Sequence, residues 1–356
     1  MLLSRVAHVA IPVVLLVAIS GCTADPVEAK RTASMAILEA GVPDDAPGCS
    51  AAVAVDGEVV WAEARGLANL DKGAEFETST PIHVASVGKQ FTAMAVLMLA
   101  ERGDLSLNES PAVYLDGLPA WAEDLTLNDL MHHTSGIRDV LSLSPRYFGT
   151  PPLTNADALE FVRTSPVAQA GTPGEYEYSN TNYTLLADIV AEVTDTEFTA
   201  WMETNVFAPL DLEARIGPPV SSDPKGYEGD VNFEFTEVEA WPWVLIGAGF
   251  VTMTLSDLAR WGDQLREPSL VSVETLADAL SNGAPTDDGY TYGPGLFVSP
   301  DGGLGHPGEG AGLYTAFGVS PDRHTTGAIS CNQDGIDLDA MGDDLAETWF
   351  TEQPDQ

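Results

Sequence analysis

The sequence predicts an α/β (α+β) fold: one antiparallel sheet built from both ends of the chain and flanked by helices, with a mostly α-helical domain inserted between. Three observations carry this. Cys49–Val55 and residues 59–64 alternate around Asp56-Gly57, the strongest short hairpin signal. Strand character returns only late, in residues 292–298, 313–320 and 325–332, the last two joined by a turn at 321–324. Between these ends, proline- and glycine-rich loops (SPRYFGTPPLT, AGTPGEYEYSN, IGPPVSSDPKGYEG) separate helical pieces. The layout expected is a targeting segment at 1–21, a sheet domain from 22–105 plus 291–356, and a helical domain from 106–290.

The N-terminus reads as an export signal. Arg5 precedes an apolar run over residues 6–19, short for a bilayer span and right for a signal core. It ends in Ile19-Ser20-Gly21-Cys22, which resembles the bacterial lipobox, so Cys22 is the expected lipidation site and membrane anchor. A plain signal peptide cleaved nearby would leave Cys22 incidental; small residues leading directly into the cysteine favour the anchor. The protein is then exported and lipid-anchored to a bacterial-type cell envelope. A first helix follows, with Asp25 as N-cap, Pro26 at its first position and Gly41 after its last turn.

Residues 81–103, PIHVASVGKQFTAMAVLMLAERG, read as one long helix, apolar on nearly every side from Phe91 to Leu99 and closed by Arg102 and Gly103. A helix of this kind belongs in the middle of a large domain. Ser86 stands at its first turn with Lys89 three residues on, so both share a face. A serine becomes a nucleophile when a neighbouring base takes its proton, and burial can lower a lysine's pKa enough to make it that base. The chain holds a second such spacing, Ser222–Lys225, but Pro224 lies inside it and no helix aligns the two groups. Further helices are expected over 156–163, 182–193, 197–205, 255–265, Val273–Ser281 and 336–350.

Composition excludes several functions. With 54 acidic against 15 basic residues the formal net charge is −39, a surface that repels nucleic acid. No C-x-x-C or H-E-x-x-H occurs, and adjacent His132 and His133 point different ways on any regular element. No metal and no cofactor is expected. Cys49 and Cys331 would lie in an oxidising compartment, where a disulfide persists.

Tyr178-x-Asn180 precedes the helix at 182, where a tyrosine can relay a proton and an amide can hold a carbonyl. His306-x-Gly308 lies between two predicted strands, in a glycine-dense stretch that a substrate could approach closely. Each alone reads as a polar turn or a hairpin loop. In the order Ser86-x-x-Lys89, Tyr178-x-Asn180, His306-x-Gly308 they resemble the serine β-lactamase and penicillin-binding-protein superfamily, in its class C β-lactamase-like esterase and D,D-peptidase branch. The stretches LNDLMHHTSGI, GTPGEYEYSNTNYTLLADIVAEVT, GAGFVTMTLSDLARW and ISCNQDG resemble that branch as well.

The resemblance implies a serine hydrolase working through an acyl-enzyme on an ester, amide or peptidoglycan-like substrate. Ser86 would attack, Lys89 and Tyr178 would share acid and base work, and Asn180 would bind a substrate amide or hold Lys89. His306, Gly308 and Glu309 would edge the cleft, with the N–H groups of Ser86 and Glu309 forming the oxyanion hole. Histidine where many relatives carry lysine, and a carboxylate at Glu309, disfavour anionic substrates; Pro307 removes one strand-edge donor. A true β-lactamase, or a silent lipoprotein binding cell-wall fragments, is the alternative. In the family fold the first strand runs antiparallel to the last, which implies a Cys49–Cys331 disulfide.

Overall fold

The computed structural model describes residues 25–143, 152–229, 234–238 and 242–350. Cys22 and the predicted signal segment lie outside the described residues. Among those described, no helix is long and apolar enough to cross a membrane.

Helix α1 (Pro26–Gly41) starts where the Asp25 carboxylate accepts the Val27 N–H at 3.0 Å. It leads into the hairpin β1 (Cys49–Val55) and β2 (Glu58–Arg65), which turns at Asp56 and Gly57, both at positive φ. The main sheet is completed late in the chain by β3 (Ala284–Pro285), β4 (Thr291–Tyr292), β5 (Phe297–Val298), β6 (Leu304–Gly310), β7 (Leu313–Val319) and β8 (Thr325–Cys331). Its order is β3-β4-β5-β6-β7-β8-β1-β2, each neighbour antiparallel. Both ends of the chain therefore meet at the β8–β1 pair, where Cys49 lies opposite Cys331. The two sulfurs are bonded, with Cα atoms 4.0 Å apart.

The β1 sequence CSAAVAV is apolar at nearly every position because both its faces are covered. Cys49, Ala51 and Val53 pack with α1 and with α9 (Leu338–Phe350), while Ala52 and Ala54 join the larger core on the other side. The Trp349 indole N–H donates to Ser34 Oγ at 2.7 Å and ties α9 to α1.

Within the larger core lies α2 (Lys89–Arg102), buried from Lys89 through Leu99 and closed by Gly103 at φ 78°. Among the described residues the remaining α-helices are α3 (Leu127–Met131), α4 (Asn155–Thr164), α5 (Asn180–Thr194), α6 (Phe198–Met202), α7 (Leu255–Trp261) and α8 (Val273–Ser281).

The single helix expected over 81–103 is three pieces. Ile82–His83 is a short strand paired with Val251–Met253, Ala85–Gly88 is a 3₁₀ turn, and α2 begins only at Lys89. Ala85 sits at φ 49°, which no helix interior allows, and the Val84 N–H donates to the Val251 carbonyl at 2.9 Å. The strand expected over 292–298 is likewise two, β4 and β5, folded about a glycine turn with Gly295 at φ 75°. The glycine-rich stretch around His306, which alone reads as a hairpin loop, is strand β6, as the family resemblance implies. Short strand pairs also occur within the helical block, such as Leu153–Thr154 with Trp243–Val244 and Tyr227–Gly229 with Phe235–Glu237. Tertiary pairing partners, invisible in local pattern, produce each of these differences.

Candidate active site

Ser86 lies in the 3₁₀ turn that enters α2, and its backbone carbonyl accepts the Lys89 N–H. The turn is wedged between two other backbones. A Cβ on Gly308 would stand 2.3 Å from the Val84 carbonyl oxygen, and one on Gly249 3.0 Å from that of Ala85. Gly308 thus admits the nucleophile's own turn. Residues 306–310 of β6 have β7 on one side but extend past β5, which reaches only Leu304 and Gly305. That free edge faces Ser86. Ala85, His133, Phe250 and Ala311 are non-glycine residues at positive φ around this region, and such backbone strain concentrates at working sites.

The Lys89 side chain is fully buried and has three partners. Nζ lies 2.6 Å from the Ala248 carbonyl oxygen, 2.7 Å from Asn180 Oδ1 and 3.1 Å from Ser86 Oγ. Burial lowers its pKa from 10.5 to about 7, with the Asp139 carboxylate pulling it back up. Asn180, at the first position of α5, accepts from Lys89 and donates through Nδ2 to Asp139 Oδ2 at 2.8 Å.

Tyr178 places its ring 4.9 Å from Lys89 Nζ. Burial raises its pKa well above the ordinary tyrosine value, and its interaction with Ser86 offsets this only in part. The phenol therefore stays protonated. Its loop is clasped by His133: the His133 carbonyl accepts the Glu177 N–H at 2.8 Å, and its Nδ1 accepts the Ser179 N–H at 3.2 Å. The His133 ring lies tilted against that of Tyr178, with centroids 4.4 Å apart.

His306 is only 3% exposed. Burial lowers its pKa to about 3, so it is neutral. Nδ1–H donates to the Pro307 carbonyl at 2.6 Å, which leaves Nε2 to accept the Tyr292 hydroxyl at 3.1 Å. It stands on the cleft strand but presents no charge to the cleft. Glu309 is exposed and lines a small pocket of about 60 Å³ with Ser86, Asn180, Leu141, Trp243 and Phe250. The second serine–lysine spacing is surface chemistry: Ser222 is exposed and the Lys225 ammonium pairs with Glu237 at 2.8 Å.

The structure thus gathers Ser86, Lys89, Tyr178, Asn180, His306, Gly308 and Glu309 in one place, while Cys49 and Cys331 lie on the interior strands β1 and β8. Sequence reasoning missed Asp139, Tyr292 and the Ala248 carbonyl, and set His133 aside as a poor metal ligand. LNDLMHHTSGI, which ends two residues before Asp139, signalled that region, and GAGFVTMTLSDLARW contains Ala248. Among the described residues, no group of three or more His, Cys, Asp or Glu side chains is placed to hold a metal.

A nucleophile, a buried lysine and a protonated phenol around a strand edge define an acyl-transfer type of site. The chain belongs to the beta-lactamase family, whose profile matches residues 36–347. It is 26% identical to penicillin-binding protein 4* of Bacillus subtilis (strain 168), over 73% of this chain and 62% of that protein. It is 28% identical to a D-aminopeptidase of Brucella anthropi, over 75% of this chain and 52% of that one. The chain thus spans roughly half to two thirds of these relatives' lengths. D-amino acid amidase from Ochrobactrum anthropi SV3, solved with D-phenylalanine, superposes with a TM-score of 0.78 at 20% identity, covering 90% of this chain and 98% of that one. The fold is shared.

Proposed function

We propose that this protein is a serine hydrolase that cleaves an ester or amide through an acyl-enzyme on Ser86. The observation that carries this is the hydrogen-bond arithmetic at Lys89. Two of its three partners, the Ala248 carbonyl and Asn180 Oδ1, can only accept. A neutral amine spends its two protons on them and aims its lone pair at Ser86, and a pKa of about 7 makes that neutral form available. Lys89 then takes the Ser86 proton as Oγ attacks the substrate carbonyl. The oxyanion is met by the N–H groups of Ser86 and Glu309, donors of a kind that contribute around 3 kcal/mol each. Tyr178, held protonated between Ser86 and Lys89, hands a proton to the departing amine or alkoxide and is recharged from Lys89. Water then releases the acyl group by the same steps in reverse.

Among the described residues, neutral, inward-turned His306 and exposed Glu309 offer no cation to a substrate carboxylate. Arg215, the charge behind His83, is already paired with Asp223. Uncharged esters and amides, or amides carrying an ammonium group, fit this site better than anionic β-lactams; the aminopeptidase and amidase names among the relatives and fold neighbours agree. The N-terminal sequence supports export and anchoring at Cys22.

The test is covalent labelling by a fluorophosphonate together with turnover of p-nitrophenyl esters, nitrocefin and D-amino acid amides. S86A should lose labelling and several orders of magnitude of turnover, because such a unit fails as a whole. S222A should match the wild type. Labelling that survives S86A would refute the assignment.

A further inference from the structure

Behind Asn180 stands a carboxylate to which the mechanism above gives no part. Asp139 precedes a short 3₁₀ turn, Val140–Ser142, and its two oxygens do different things. Oδ1 accepts the Leu141 N–H at 2.9 Å and fixes the side chain to the turn. Oδ2 accepts Asn180 Nδ2 at 2.8 Å. The amide of Asn180 is symmetric enough to flip, and flipped it would aim its NH₂ at Lys89, donor against donor. Asp139 accepts only, so it forces the NH₂ toward itself and the oxygen toward Lys89.

The other groups facing Lys89 lack that charge. Tyr178 and Tyr183 present rings 4.9 and 5.8 Å from Nζ and are held protonated by burial. His133 and His306 are buried and neutral. The exposed Glu309 shares the pocket with Ser86 but stands at its mouth.

We propose that Asp139 is a positioning residue for the base: its carboxylate pins the Asn180 amide with the oxygen toward Lys89 and balances the charge Lys89 acquires on taking the Ser86 proton. The proposal rests on the hydrolase reading above. Removing the negative charge disfavours the lysine's cationic form, so Lys89 should lose its proton at lower pH. Losing the pinned amide should also slow acylation at every pH.

The protein contains four lysines, Lys30, Lys72, Lys89 and Lys225, so side-chain labelling with carbon-13 gives a spectrum simple enough to follow Lys89 directly. K89M assigns its signal. In D139N the Lys89 titration should move down by about one pH unit from its wild-type midpoint. The acidic limb of the labelling-rate profile should move with it. If D139N does not fold, D139S removes the same charge while its hydroxyl can still cap Leu141, and carries the same measurement. An unmoved or raised midpoint in a folded variant overturns the role of Asp139. This readout does not depend on turnover. A wild type that never labels at Ser86 would instead sink the hydrolase reading, whatever Lys89 does in D139N.

Discussion

Lys89 makes a prediction that joins chemistry to stability. Its pKa falls from 10.5 in the unfolded chain to about 7 in the fold. If the neutral amine is the base, fluorophosphonate labelling of Ser86 should rise about tenfold per pH unit below that value and level off above it. An unperturbed lysine would instead give a rise continuing toward pH 10. The same shift has a stability consequence. Between the two pKa values the unfolded state binds the proton and the folded state does not, so stability increases with pH across that window. Each pKa unit corresponds to about 1.4 kcal/mol, and the difference between pH 7 and about pH 9.5 comes to about 3 kcal/mol. Urea denaturation of wild type and K89M at those two pH values isolates this contribution, because other titrating groups are common to both. Wild type should gain on K89M by that amount as pH rises. Parallel behaviour of the two proteins, with labelling still climbing at pH 9, would refute the claim that Lys89 is buried, uncharged and the base.

Gly308→Ala should cut Ser86 labelling at least tenfold while the far-ultraviolet circular dichroism stays native, because the added Cβ would meet the Val84 carbonyl at 2.3 Å and displace the nucleophile's turn. Unchanged labelling would show that the turn can give way. Replacing Cys49 and Cys331 together by Ala removes a bridge across a sequence separation of 282 residues. The chain-entropy ceiling for that loop is on the order of 5 kcal/mol, and a loss of about 2–5 kcal/mol in urea unfolding is expected with the labelling rate unchanged. Identical unfolding midpoints would mean that the bridge constrains nothing the β1–β8 ladder does not already hold.

The sequence by itself determined the scaffold and the identity of the reacting groups. Ser86 and Lys89 were legible because three residues of spacing at the head of a greasy helix fix both their proximity and the lysine's burial. The split sheet was legible because the Asp56-Gly57 turn marks the hairpin and short β-rich runs such as β7, which alternates buried and half-buried positions, return only late in the chain. Where a residue's neighbours come from elsewhere in the chain, only the tertiary structure decided. The segment over 81–103 looks helical throughout, yet Ile82–His83 pairs with Val251–Met253 and Ala85 is driven to positive φ. His306 could be read as a group facing substrate until Tyr292, fourteen residues earlier in sequence, took its Nε2 and burial took its charge. Asp139 is one carboxylate among 54 acidic residues in the sequence and becomes singular only where α5 brings Asn180 against it. Spacing along one element is a local property and can be read from a string; hydrogen-bond partners and desolvation come from other elements of the chain, and only folding chooses them.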